Sequence, residues 1–163
     1  MDPRGAAPAF FEQVGTLSDG RRHPGDAEVS VGIAALSPAG AGSPVDEAEW
    51  FPLTGLPALT PRHRTIVDRA ASVVRQRVDQ SPLAFRLLPP TFTLSDLQGV
   101  YELLLSRRLH KASFRRALQA SYLVEPTDEW RSEGRGRPAQ LFRYAPKKRR
   151  GARRGVRFDL FTE

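Results

Sequence analysis

The sequence predicts an α+β fold in which a small β-sheet with one helix precedes a winged helix-turn-helix domain. Three observations lead to this prediction. Short strand patterns recur between residues 10 and 53, before any basic segment. Two helical patterns joined by a tight turn follow residue 93, and the second of them is basic on one face. Finally, two short apolar segments bracket an Arg- and Gly-rich tip, as expected for a β-hairpin.

The first eighty residues carry three strand patterns. Phe10–Thr16 is short and apolar, and Glu28–Leu36 alternates and is β-branched in its first half. We expect a third strand at Glu47–Leu53, with Trp50 and Phe51 in the core.

A helix and an apolar linker follow these strands. Pro61 is suited to the first position of a helix, and apolar residues at helical spacing continue that helix to about Asp79. Three prolines stiffen the linker Ser81–Pro90, yet the segment is too apolar to be free in water. We therefore expect its apolar residues to dock between two domains: Leu83, Phe85, Leu87 and Leu88.

The first helix of the helix-turn-helix starts at Thr93. The Thr93 hydroxyl can accept a bond from an exposed amide, and Asp96 places a carboxylate in the same first turn. Apolar residues then recur on one face at helical spacing. They are Leu94, Leu97, Tyr101, Leu104 and Leu105.

The second helix is amphipathic and basic. Phe114, Ala117 and Leu118 point to one side, and charged or hydrogen-bonding residues point to the other. Such an outer face is what a recognition helix needs in the major groove. We expect DNA contacts from Lys111, Ser113, Arg115, Arg116 and Gln119; a solvated helix face is the alternative.

The hairpin that follows predicts a wing. Leu123–Glu125 and Leu141–Tyr144 are its strands, and Gly134–Pro138 forms its tip. Glycine and proline keep an extended backbone slim enough for a minor groove, whose negative potential attracts arginine. We expect Arg131, Arg135 and Arg137 to insert there; a polar turn is the alternative.

Charge is concentrated in the second half of the chain. Residues 1–92 hold 9 Lys and Arg against 10 Asp and Glu, whereas residues 93–163 hold 16 against 8. This asymmetry indicates a polyanion partner for the second half, and we expect double-stranded DNA. The basic tail 146–163 is either a solubilising tail or a phosphate-binding segment.

Several classes of protein are disfavoured. The chain contains no cysteine, so disulfides and thiol catalysis are excluded, and its 3 histidines have no metal-ligand spacing. No apolar segment approaches a signal peptide or a membrane span, so we expect a cytoplasmic protein without a membrane partner. We expect neither catalytic nor metal-binding residues, and no bound cofactor.

At this point a family resemblance can be stated. Five segments carry it: FFEQVGTLSDGRRHPGDAEVSVGIAALSP, AEWFPLTGLPAL, SPLAFRLLPPTFTLSDLQGVYE, LHKASFRRAL and GRGRPAQLFRY. Together they resemble the Nudix-related transcriptional regulators over about residues 8–145, most specifically at Ser81–Glu102 and Phe114–Tyr144. These are bacterial repressors of NAD metabolism with a Nudix-fold effector domain followed by a winged helix. The resemblance implies a homodimer that leaves palindromic operators when its effector domain binds ADP-ribose or a related NAD metabolite.

The resemblance also has departures. The Nudix signature, whose clustered carboxylates hold Mg²⁺ against a diphosphate, is absent from this sequence. We interpret residues 1–80 as a truncated Nudix-like effector domain, 81–92 as the linker, 93–145 as the winged helix and 146–163 as the tail. Either the gene is truncated or its start codon has been placed too far downstream. His110 stands where the family has a capping Asp, and Tyr122 where it usually has Gly.

The sequence thus favours a DNA-binding transcriptional regulator, a repressor of NAD-metabolism genes, over an enzyme. Two alternatives stay open. One is a Nudix hydrolase of nucleoside diphosphate derivatives. The other is a truncated remnant with impaired effector sensing.

Overall fold

The computed structural model describes residues 8–18, 29–38, 49–132, 137–146 and 156, and all structural statements concern those residues. The elements are β1 (Phe10–Leu17), β2 (Ser30–Leu36), α1 (Pro61–Val78), α2 (Leu83–Arg86), β3 (Thr91–Phe92), α3 (Leu94–Leu105), α4 (Lys111–Ser121), β4 (Val124–Arg131) and β5 (Ala139–Tyr144). The chain divides into two compact units, Met1–Val74 and Arg75–Glu163. The predicted α+β fold, a small sheet with a helix followed by a winged helix, is confirmed.

The first two predicted strands are present as β1 and β2, and they pair in antiparallel order in the sheet of the first unit. Its register shifts between Gln13 and Gly15, and Gly15 has a φ of +154°. A Cβ at this glycine would lie 2.8 Å from Nη1 of Arg69 on α1. Because L side chains rarely adopt such a φ, glycine is needed where the helix crosses the strand irregularity.

The expected third strand is wrong for the described residues 49–53. They form no strand, and the chain turns at Pro52, whose carbonyl oxygen accepts a bond from Gly55 N at 2.9 Å. Trp50 and Phe51, expected in the core, are 69% and 43% exposed. Proline supplies no amide to a ladder, and the Trp-Phe-Pro run does not alternate, so this segment lacks what a strand requires.

The two predicted helices of the helix-turn-helix are present as α3 and α4. Thr93 Oγ1 accepts from Asp96 N at 3.1 Å, and Asp96 Oδ2 accepts from Thr93 N at 2.8 Å, which makes a complete capping box at the start of α3. The buried residues of α3 are Leu97, Tyr101 and Leu104. Those of α4 are Phe114, Ala117 and Leu118.

The three-stranded sheet of this unit has the order β3-β5-β4, and both pairs are antiparallel. The strands β4 and β5 form the hairpin that the sequence predicted. Their register is regular from the pair Val124–Tyr144 to the pair Pro126–Phe142, then shifts before Trp130. The wing therefore has an inner half in regular sheet and an outer half beyond an irregularity.

The linker that was expected to dock between domains contributes to the core of the second unit. Within it, Leu83, Ala84 and Phe85 of α2 are buried. The Phe85 ring lies 4.5 Å from the ring of Tyr144 and 6.0 Å from that of Phe92. Leu87 and Leu88, which the same prediction included, are half-buried.

The core of this unit extends to residue 156. Val156 is 3% exposed, and its N–H donates to the hydroxyl of Tyr101 at 3.4 Å. Burial raises the pKa of Tyr101, whose hydroxyl is therefore a neutral hydrogen-bonding group at every physiological pH. Among the described residues no helix is long and apolar enough to cross a membrane.

Candidate nucleic-acid interface

The outward face of α4 carries the predicted DNA-contacting residues together. Because Phe114 and Leu118 are each 1% exposed, the opposite face of the helix must point to solvent. Most of the predicted major-groove residues are exposed there: Lys111, Arg115, Arg116 and Gln119. Ser113 is half-buried at the edge of this face. We call these five residues the α4 face.

The two central arginines do not point in the same direction. Consecutive residues project about 100° apart around an α-helix. Arg115 shares its side with Ala112 and Gln119, three and four residues away, and both of these are exposed. Arg116 projects about 100° away from Arg115, so the two guanidinium groups are suited to different parts of a groove.

The N-terminus of α4 lacks a side-chain cap. His110 is the N-cap residue, but its side chain makes no capping bond; its Nδ1 lies 3.2 Å from Ser113 Oγ instead. The family has a capping Asp at this position, and the His110 side chain that replaces it bonds none of the backbone amides at the helix start. Free amides at a helix N-terminus favour an anion such as a DNA phosphate.

The turn between α3 and α4 is held by a carboxylate that sequence reasoning missed. Glu102 Oε1 accepts from Leu109 N at 2.9 Å and from Gln98 Nε2 at 3.0 Å. Its other oxygen lies 3.4 Å from Nη1 of Arg108. The Leu109 amide is the main cause of the lowered pKa of Glu102. The sequence offered one sign of this contact: Glu102 lies in the last turn of α3, shortly before the basic turn 107–110.

The three arginines predicted to insert at the wing lie in different surroundings. Arg137 is exposed, as expected for a residue near the tip, whereas Arg135 lies outside the described residues. Arg131, the last residue of β4, is half-buried, and its Nη2 donates to Asp96 Oδ2 at 2.6 Å. Trp130 beside it is 56% exposed, and sequence reasoning did not single it out. The basic residues 147–155 also lie outside the described residues.

The Asp96 carboxylate is the centre of a small polar network. Burial raises the pKa of Asp96, but hydrogen bonds from Thr93 and Arg131 and the charge of Arg131 outweigh burial, so the pKa is lowered overall. Asp96 therefore remains ionised at neutral pH while it bonds both the start of α3 and the end of β4.

The first unit contains a cavity of about 350 Å³. Arg62 and Arg69 of α1 contribute to its lining, together with the end of β1. Arg62 Nη2 donates to the carbonyl oxygen of Leu17 at 2.6 Å, which fixes α1 to the strand. In the described part of the chain, no three His, Cys, Asp or Glu residues are grouped as metal ligands would be.

Comparisons with known proteins agree with this architecture. Residues 84–144 match the family described as the NrtR DNA-binding winged helix domain. An ADPR-responsive transcriptional repressor of Acinetobacter baylyi is 31% identical over 151 residues, a match that covers 89% of this chain and 60% of the repressor. The chain thus spans about 60% of the length of that relative.

Two solved structures are similar as well. The crystal structure of Shewanella oneidensis NrtR complexed with a 27mer DNA matches with a TM-score of 0.66 and 30% identity, over 85% of this chain and 66% of that one. The crystal structure of Shewanella oneidensis NrtR matches with a TM-score of 0.63 and 29% identity over the same shares. The resemblance stated from the sequence is confirmed: the chain is similar to NrtR proteins over most of its length, and its residues 84–144 match the NrtR DNA-binding winged helix domain.

Proposed function

We propose that this protein is a DNA-binding transcriptional regulator, a repressor that inserts α4 into the major groove and its wing into the adjacent minor groove. The observation that carries the proposal is the α4 face, where exposed cations lie directly opposite a buried apolar side. A relative named as a transcriptional repressor and a similar chain solved with a 27mer DNA support it.

The residues of the α4 face have distinct roles in this proposal. Arg115 and Gln119 contact base edges, since they lie four residues apart on one exposed side of α4 between Lys111 and Arg116. Lys111 and Arg116 contact phosphates on either side, and Ser113 assists at the helix start. At the wing, Arg135 and Arg137 enter the minor groove.

We further propose that the regulator is a cytoplasmic homodimer that represses genes of NAD metabolism and responds to ADP-ribose or a related metabolite. The name of the Acinetobacter relative, which describes it as ADPR-responsive, supports this effector. A cavity lined by Arg62 and Arg69 has the charge that a diphosphate requires, and it is the first place to test. The effector is a regulatory ligand here, so the proposal includes no catalytic step.

The function is tested by selecting duplexes from a random pool and measuring their affinity by fluorescence anisotropy. Replacing Arg115 and Arg116 by Ala should abolish the preference for the selected duplex and weaken binding to random DNA. A charge-matched control replaces Arg64 and Arg86, two exposed arginines outside the α4 face and the wing. Selection that enriches no sequence, or equal effects of both double variants, would contradict the proposal.

A further inference from the structure

An ion pair joins the end of β4, at the outer part of the wing, to the start of α3. Arg131 Nη2 lies 2.6 Å from Asp96 Oδ2, across 35 residues of sequence. The same carboxylate oxygen accepts from Thr93 N at 2.8 Å, so Asp96 is already fixed in the capping box of α3. The capping box therefore holds the Asp96 carboxylate in place before Arg131 bonds to it. The bond between the two side chains fixes the end of β4 relative to the start of α3.

The hairpin ladder does not by itself fix the direction of the outer wing. Regular pairing ends at Pro126, and two pairs, Trp130–Gln140 and Arg131–Ala139, hold the strands beyond the irregularity. Thr127 bridges the gap, because its Oγ1 donates to Leu141 O at 3.0 Å. A bulged hairpin bends and twists at such a point, so the wing tip needs a further contact to keep one direction.

We propose that Arg131 is a positioning residue, which holds the wing in the direction that DNA binding requires by its bond to Asp96, and that it does not insert into the groove. This inference rests on the proposed function and revises the role expected for Arg131. Its position supports it: Arg131 pairs with Ala139 in the last pair before the tip, where a tether has the most control over Arg137 and its neighbours. Preorganised binding surfaces lose less conformational freedom on association.

The alternative role makes the opposite prediction for Asp96. If Arg131 binds a phosphate, Asp96 competes with DNA for that guanidinium, so removing the carboxylate charge must strengthen DNA binding. If Arg131 is a tether, Asp96→Asn must weaken DNA binding even though it removes a negative charge from a DNA-binding domain. The side chains of Arg131 and Asp96 are 36% and 31% exposed, so a DNA phosphate can reach the Arg131 guanidinium and burial excludes neither role.

The experiment uses Asp96→Asn, Arg131→Met and the double variant in a Trp50→Phe background. The chain has 2 tryptophans, so Trp130 then reports alone on the base of the wing. The matched control is Arg143→Met. Arg143 belongs to the same hairpin and carries the same charge, but it pairs with Glu125 inside the hairpin at 3.4 Å.

Without DNA, each single variant should shift the Trp130 emission and shorten its anisotropy decay, and the double variant should add nothing further. With the selected duplex, each single variant should lower affinity about twofold to fivefold, as expected for a partly exposed ion pair. The slope of log affinity against log salt should stay unchanged. Arg143→Met should leave the Trp130 signal unaltered.

The proposal is overturned if Asp96→Asn strengthens DNA binding while Arg131→Met lowers the salt slope by about one, the signature of a lost phosphate contact. It is also overturned if the effects of the two variants on Trp130 are additive. Should Arg131→Met fail to fold, Arg131→Lys gives a cation of different geometry for the same measurements. If the wild-type protein binds no duplex, the proposed function is contradicted. The Trp130 signals of the single and double variants without DNA then still test whether Asp96 and Arg131 together hold the wing.

Discussion

The orientation of α4 in the groove can be tested with two neighbouring residues. Arg115 lies on the side that it shares with the exposed Ala112 and Gln119, and Arg116 projects about 100° away from it. Arg115→Ala should therefore reduce affinity for the selected duplex and relax preference at one base pair. Arg116→Ala should weaken selected and random DNA alike, because a phosphate contact carries no sequence information.

The two substitutions should differ both in how much affinity they remove and in how they change the salt dependence of binding. Loss of a bidentate base contact costs about 1–3 kcal/mol, which is about a 5- to 150-fold loss in affinity on the selected duplex. Loss of one phosphate contact lowers the salt slope by about 0.9. Between 50 and 200 mM salt, the affinity of the Arg116→Ala variant should thus fall roughly 3.5-fold less than that of the wild type.

The assay is a salt titration by fluorescence anisotropy of both variants on both DNAs, with single-base changes scanned through the selected duplex. Because the two residues are adjacent and both exposed, each variant serves as the charge-matched control for the other. If Arg115→Ala lowers all affinities equally while Arg116→Ala changes sequence preference, the assigned rotation of α4 in the groove is wrong.

Further predictions concern the wing, catalysis and the backbone. Replacing both Arg135 and Arg137 by Ala should weaken DNA binding by roughly 1–3 kcal/mol in a mobility-shift assay, most strongly on A·T-rich flanks; unchanged affinity would refute groove insertion. Incubation with ADP-ribose and Mg²⁺ should release no more product than buffer; turnover that survives repurification would restore the hydrolase alternative. Tyr122 has a φ of 53°, so Tyr122→Gly should be more stable than Tyr122→Ala by about 1 kcal/mol in urea unfolding; equal stabilities would show that the left-handed backbone is not strained. Gly15→Ala should lower the free energy of unfolding by about 1–3 kcal/mol. Gly99→Ala is its control, since a Cβ there meets nothing within 4 Å, and it should stabilise α3.

Much of the second unit could be predicted from the sequence because its signals are local. The cap at Thr93, the helical spacing of Leu97, Tyr101 and Leu104, and the hairpin around the wing depend on residues close in the chain. The same holds for the α4 face, whose exposure follows once Phe114 and Leu118 are assigned to the core. Local periodicity was sufficient for these elements.

The predictions that were wrong or missing concern residues whose contacts depend on partners distant in the sequence. Trp50 was assigned to the core because aromatic residues are usually buried, yet burial requires a partner surface, and it is exposed in the described structure. The bond between Asp96 and Arg131 spans 35 residues, and no periodicity signals it. Arg131 lies in an Arg-rich hairpin, so composition alone suggested a DNA contact.

The contact of Val156 with Tyr101 has a consequence for how the protein is made. Residues 84–144 match the family domain, but Val156, twelve positions further on, is also buried in the core and bonds the Tyr101 hydroxyl. At about 5–20 residues per second, a ribosome needs roughly 0.6 to 2.4 seconds to add these twelve positions. During that interval the α4 face is already synthesised, while Val156 has not yet taken its place in the core. A nascent chain interrupted in this window would therefore carry a recognition helix on an incompletely sealed domain, a target for chaperones and proteases rather than for an operator.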